Sequence, residues 1–169
     1  MNKLLINLLL PIIFLFNNIA EASDLNIFSI GYFDFNKQKN EAVDIRFEKR
    51  FDNEIFDLGP KEEPLYFIKP FYGIEMTSDS AIYGIVGIFI EEKIGKNFFF
   101  TPNFGIGAFS KGNGKDLGHV VEFRSTLEIS YQLKNKNRIG LSMGHFSNAG
   151  IGDTNPGTEI LSLSYQVSY

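Results

Sequence analysis

Ala42-Val43-Asp44-Ile45-Arg46-Phe47-Glu48-Lys49-Arg50-Phe51 is the stretch that decides the fold. Val43, Ile45, Phe47 and Phe51 share one phase of a two-residue period, and Asp44, Arg46, Glu48 and Arg50 share the other. Successive side chains of a strand point to opposite faces, so this pattern predicts a β-strand with one apolar face and one charged face. The alternation returns over 121–131, where Val121, Phe123, Leu127, Ile129 and Tyr131 oppose Glu122, Arg124, Thr126, Glu128 and Ser130. Further strands are predicted near 25–35, 65–76, 81–90, 98–109, 138–147 and 158–169, which brings the count to eight.

Polar turn segments separate these runs at 36–40, 77–80, 93–97, 111–115, 134–137 and 148–157. The longest connection is the polar stretch 52–63. No linker or low-complexity tract divides the chain. Eight antiparallel strands in one short chain predict closure into a barrel, because closure removes the unpaired edges.

A barrel can bury either phase. A soluble one buries the apolar phase and leaves the charges to water; a membrane barrel turns the apolar phase to lipid and pairs the charges in its lumen. The N-terminus favours the second. Lys3, the apolar run 4–16 and Ala20-Glu21-Ala22 read as a secretory signal peptide spanning 1–22, cleaved after Ala22. The run is interrupted by Asn17, Asn18 and Glu21 before the roughly 20 apolar residues of a membrane helix are reached. The chain from 23 to 169 is then one outer-membrane barrel. Its last strand alternates Leu161, Leu163, Tyr165 and Val167 with Ser162, Ser164, Gln166 and Ser168 and closes on Tyr169, like the assembly signal of bacterial outer-membrane barrels.

Composition narrows the function. A formal charge of -4 argues against nucleic acid as a partner. The absence of cysteine excludes disulfides and thiolate metal sites, and with only His119 and His145 available no metal or other cofactor is expected. Eighteen Phe and seven Tyr suit strands and the aromatic girdles of a membrane barrel.

With both termini on the periplasmic side, the connection between the seventh and eighth strands is extracellular. His145 and Ser147 share the phase of Ile139, Leu141 and Met143, and Glu159 shares that of Leu161, Leu163 and Tyr165. All three therefore point to lipid near the outer rim, where ionisable groups are disfavoured and ask for a reason. Ser and His two apart on a strand stand on one face about 6.6 to 7 Å apart along the chain. In a triad, Ser147 attacks, His145 takes and returns the proton, and Glu159 orients the imidazole. On spacing alone, three rim residues without chemistry are the preferred reading.

The flanking residues add to this reading. His145-Phe146-Ser147-Asn148-Ala149-Gly150, then Asn155-Pro156-Gly157-Thr158-Glu159, resembles the signature of the lipid A 3-O-deacylase (PagL) family, and the likeness extends back through Glu122-Phe123-Arg124-Ser125. The resemblance implies an eight-stranded outer-membrane barrel that hydrolyses the 3-position acyl ester of lipid A, the membrane anchor of lipopolysaccharide, and releases a 3-hydroxy fatty acid. It implies catalytic roles for His145, Ser147 and Glu159, and oxyanion donors at Asn148 and Gly150. A non-enzymatic structural or adhesive barrel and a lipid acyltransferase are the alternatives, and a homodimer is possible.

Lesser expectations concern four other positions. His119 is placed in the apolar phase of the sixth strand as an idle interface residue, Lys111 and Lys115 in a solvated outer loop, and Glu122 with Arg124 as a pair inside the barrel. The segment 52–63 falls on the periplasmic side, where turns are normally short; it is either a miscounted strand or an insertion.

Overall fold

In the computed structural model, residues 24–60 and 66–169 are described; the expected signal peptide, 1–22, lies outside them. Among the described residues ten strands follow in chain order: β1 (Leu25–Phe33), β2 (Ala42–Arg50), β3 (Phe56–Leu58), β4 (Tyr66–Thr77), β5 (Ile82–Phe89), β6 (Glu92–Lys93), β7 (Phe98–Ser110), β8 (Val121–Gln132), β9 (Arg138–Ser147) and β10 (Thr158–Ser168). Eight of them close a ring of antiparallel pairs in the order β1, β2, β4, β5, β7, β8, β9, β10, and β10 returns to β1 from Phe33↔Ile160 to Leu25↔Ser168.

One of the two extra strands lies in the long connection 52–63. β3 pairs with the first residues of β4, from Phe56↔Ile68 to Leu58↔Tyr66, so residues 56–58 are a short strand beyond the count of eight, off the ring. β6 pairs Glu92 and Lys93 with Phe100 and Phe99, at the edge of the stretch 93–97 expected to be turn.

The charged phase faces inward. Asp44, Arg46, Glu48, Arg50, Glu122, Arg124 and Glu128 are buried, while Val43, Ile45, Leu127, Ile129, Leu141, Met143, Leu161 and Leu163 are exposed on the outer wall. Burial of so many charges is tolerable only with partners, and the lumen supplies them to Glu48, Arg50, Arg124 and Glu128. Arg50 Nε donates to Glu48 at 2.7 Å and Arg50 Nη1 to Glu128 at 2.8 Å. Gln166 also donates to Glu128, at 2.9 Å. Arg124 bridges Glu48, at 2.6 Å, and Glu75. The expected pairing of Glu122 with Arg124 does not occur: the guanidinium reaches across the lumen to carboxylates on β2 and β4 instead.

At the end away from the termini the lumen filling turns apolar. Phe33, Tyr83, Phe109, Leu117, Phe146 and Ile160 pack there as a buried cluster. This plug underlies the four connections 34–41, 78–81, 111–120 and 148–157, and it anchors the strand ends that carry the candidate site.

Candidate active site on the lipid-facing wall

β9 turns His145 and Ser147 outward because Phe146, between them, is drawn into the lumen. The Phe146 ring is buried and meets Tyr83 edge-on at 5.0 Å between centroids. One inward anchor fixes both outward neighbours through the pleat. β10 sets Glu159 directly opposite His145. Imidazole Nδ1 lies 3.2 Å from Glu159 Oε1, with the side chains 51% and 20% exposed. That contact leaves Nε2 as the ring nitrogen free to accept a proton from a hydroxyl.

Gly157 stands just ahead of β10, next to the Thr158↔Phe146 pair that ends the β9–β10 register. Its φ is +57°, and a Cβ there would stand 3.3 Å from His145 Cε1 and 3.1 Å from the Phe146 carbonyl oxygen. A bare backbone at this point gives the imidazole its seat. Ser147 is half-buried on the same outer face, across from Phe123 of β8. Among the described residues its hydroxyl makes no hydrogen bond, so His145 and Glu159 are joined and Ser147 stands one pleat beyond them. In unliganded sites such a bond is often long and closes only around substrate.

The connection after Ser147 is tightly held. Asn148 is buried, and its Nδ2 donates to the Leu117 carbonyl at 2.9 Å and to the Thr154 carbonyl at 2.8 Å. The Gly150 amide donates to Asn148 Oδ1 at 2.9 Å. Both donors expected to face an oxyanion are thus engaged within the loop in this arrangement. Asn155, which sequence reasoning passed over, accepts the Asn148 amide through Oδ1 at 3.1 Å. Its Nδ2 has no hydrogen bond among the described residues.

Behind the acid end sits a buried ion pair. Lys115 Nζ donates to Asp34 Oδ1 at 2.5 Å, and Thr158, next to Glu159, donates its hydroxyl to the same oxygen at 3.0 Å. Burial raises the Asp34 pKa, but hydrogen bonds from Lys115, the Asn40 and Lys39 amides and Thr158 outweigh it and hold the carboxyl below its ordinary value. Lys115 is therefore not the solvated residue expected, because the loop folds inward over the plug and finds a buried carboxylate. Lys111 stays exposed and pairs with Asp116. His119 lies in the loop ahead of β8 rather than in the strand, where its Nδ1 accepts the Val121 amide at 2.9 Å.

A fourth outward polar group completes the patch. Ser125 of β8 is exposed and directly opposite His145, so Ser125, His145 and Glu159 form one cross-strand row. A serine in the apolar phase reads in sequence as a gap in the pattern, and the register alone brings it to the site.

An eight-stranded antiparallel barrel with a charged lumen, an apolar outer wall and a His-Glu pair set in that wall belongs to the outer-membrane class. The sequence model of the family described as "Lipid A 3-O-deacylase (PagL)" matches residues 63–168, and the chain belongs to that family. The lipid A deacylase PagL of Bordetella bronchiseptica (strain ATCC BAA-588 / NCTC 13252 / RB50) is 35% identical over 77 residues, 44% of this chain and 43% of that protein. The match thus spans less than half the length of that relative. The crystal structure of the outer membrane enzyme PagL superposes with a TM-score of 0.64 at 18% identity, covering 85% of this chain and 98% of that one. A de novo designed transmembrane β-barrel gives 0.58 at 12% identity, covering 89% and 100%. At these identities the structural likeness speaks for the fold.

Proposed function

We propose that the protein is an outer-membrane serine esterase that hydrolyses the 3-position acyl ester of lipid A. The observation that carries the reading is the His145–Glu159 contact on the lipid-facing wall, 3.2 Å long and one pleat from Ser147. Family membership and the deacylase named in Bordetella bronchiseptica support the substrate.

Ser147 Oγ attacks the ester carbonyl carbon as His145 Nε2 takes its proton, and Glu159 steadies the imidazolium through Nδ1. The tetrahedral oxyanion collapses by expelling the sugar oxygen, which leaves with the proton from His145. Water, activated by the same imidazole, then cleaves the acyl-serine and frees a 3-hydroxy fatty acid. Backbone and side-chain donors after Ser147 stabilise the oxyanion. Asn148 and Gly150 fill that role once Asn148 Nδ2 is freed from the Leu117 and Thr154 carbonyls and the Gly150 amide from Asn148 Oδ1, and Asn155 Nδ2 supplies a donor already free. No step requires a cofactor.

Mass spectrometry of lipid A from cells expressing the wild type and Ser147→Ala, with equal barrel assembly confirmed by gel mobility, tests this. Loss of one acyl mass in the wild type alone is the expected result. An acyl mass gained makes the protein a transferase, and unchanged lipid A in both refutes the assignment of this substrate.

A further inference from the structure

We infer that Ser125 is a specificity residue that selects an acyl chain bearing a hydroxyl close to its ester carbonyl. The inference rests on the esterase reading above. Beyond the termini-proximal end of the barrel, the outward positions within the strands near this site are apolar except for Ser125, His145, Ser147 and Glu159, on the three adjacent strands β8, β9 and β10. A lone hydroxyl on a lipid-facing wall has no water to satisfy it, so its presence there asks for a polar partner. Ser125 has none among the described residues, and it is the one member of the patch to which the triad assigns no task.

Its place sets the ligand chemistry. β9 runs from His145 to Ser147 and then into the 148–157 connection, so the Ser147 row is nearer the loops and the His145 row nearer the middle of the wall. Ser125 shares the His145 row, while Phe123 stands opposite Ser147. An ester whose carbonyl sits at Ser147, with its sugar among the loops, must lay its acyl chain down the wall, past Ser125. Diagonal neighbours on a sheet lie about 7–8 Å apart at the backbone, a gap bridged by a carbonyl at one serine and a hydroxyl two carbons along at the other. The imidazole is drawn toward β10 by Glu159 and lies over Gly157. This leaves the β8 side, where Ser125 stands, open to the chain.

The test compares two synthetic glucosamine esters in detergent micelles, identical except that one carries a 3-hydroxyacyl chain and the other the unsubstituted chain of equal length. Wild-type protein is expected to prefer the hydroxylated ester. Ser125→Ala is expected to lower kcat/KM about fivefold on that ester alone, the worth of one neutral hydrogen bond, and Ser125→Thr to restore the preference. An unchanged preference in Ser125→Ala overturns the inference and leaves the esterase standing. An equal loss on both esters also overturns it, and makes Ser125 a partner of His145 instead. If the wild type cleaves neither ester while Ser147→Ala behaves identically, the esterase reading itself falls and the inference with it.

Discussion

Replacing Lys115 by Met tests how far the loop end of the barrel is a built structure rather than a solvated rim. The ammonium is buried and donates to Asp34 at 2.5 Å, and the Asp34 side chain is fully buried. Breaking a buried pair by removing one partner typically costs about 3–5 kcal/mol, because the other charge remains without compensation. Asp34 keeps three donors, the Lys39 and Asn40 amides and the Thr158 hydroxyl. The expected cost therefore falls at the low end, about 3 kcal/mol. The assay is urea unfolding of protein folded into phospholipid vesicles, followed through tyrosine emission, for which seven Tyr and no Trp are available. A loss below about 0.5 kcal/mol, the size of an exposed pair, would refute the reasoning. Acidification supplies a second check. The Asp34 carboxyl is held below its ordinary value of 3.8 in the folded state, so its stabilisation is complete above 3.8 and disappears as pH falls through the lower folded value. The variant, with its strongest donor gone, is expected to lose less over that acid range.

Three further outcomes are expected. Glu159→Gln keeps the shape but not the charge that steadies the imidazolium, so kcat should fall about 100-fold or more with barrel assembly intact, measured as fatty acid released. Gly157→Ala forces a Cβ to 3.3 Å from His145 Cε1 at a φ of +57°; displaced imidazole should reduce kcat about tenfold with KM little changed, and an unaltered kcat would remove Gly157 from the site. Arg124→Met leaves Glu48 and Glu75 facing each other in the lumen, and should destabilise the folded barrel in vesicles by about 3–5 kcal/mol, whereas Arg124→Lys should recover part of that loss.

The sequence by itself determined the strands and the direction in which each face looks. Period-two alternation is local and leaves little freedom, as at Val43 to Arg50, because a slip by one residue would move every charge into lipid. The eight main strands and the shared phase of His145, Ser147 and Glu159 with the apolar rows were legible on that ground, and the N-terminal segment and the closing strand pointed to the inverted barrel. Only the tertiary structure decided what depends on partners distant in the chain. Arg124 answers Glu48 and Glu75 rather than Glu122, since a guanidinium pairs across a narrow lumen with whatever carboxylate the register brings level. Lys115 finds Asp34 through the inward fold of a loop whose polarity alone suggests solvent. The Gly150 amide donates to Asn148 Oδ1, and Asn148 Nδ2 to the Leu117 and Thr154 carbonyls, because a buried side-chain amide must find partners even where catalysis would want it free. Ser125 enters the site only through the pairing of β8 with β9, for cross-strand register, unlike alternation along one strand, is a property of two segments at once.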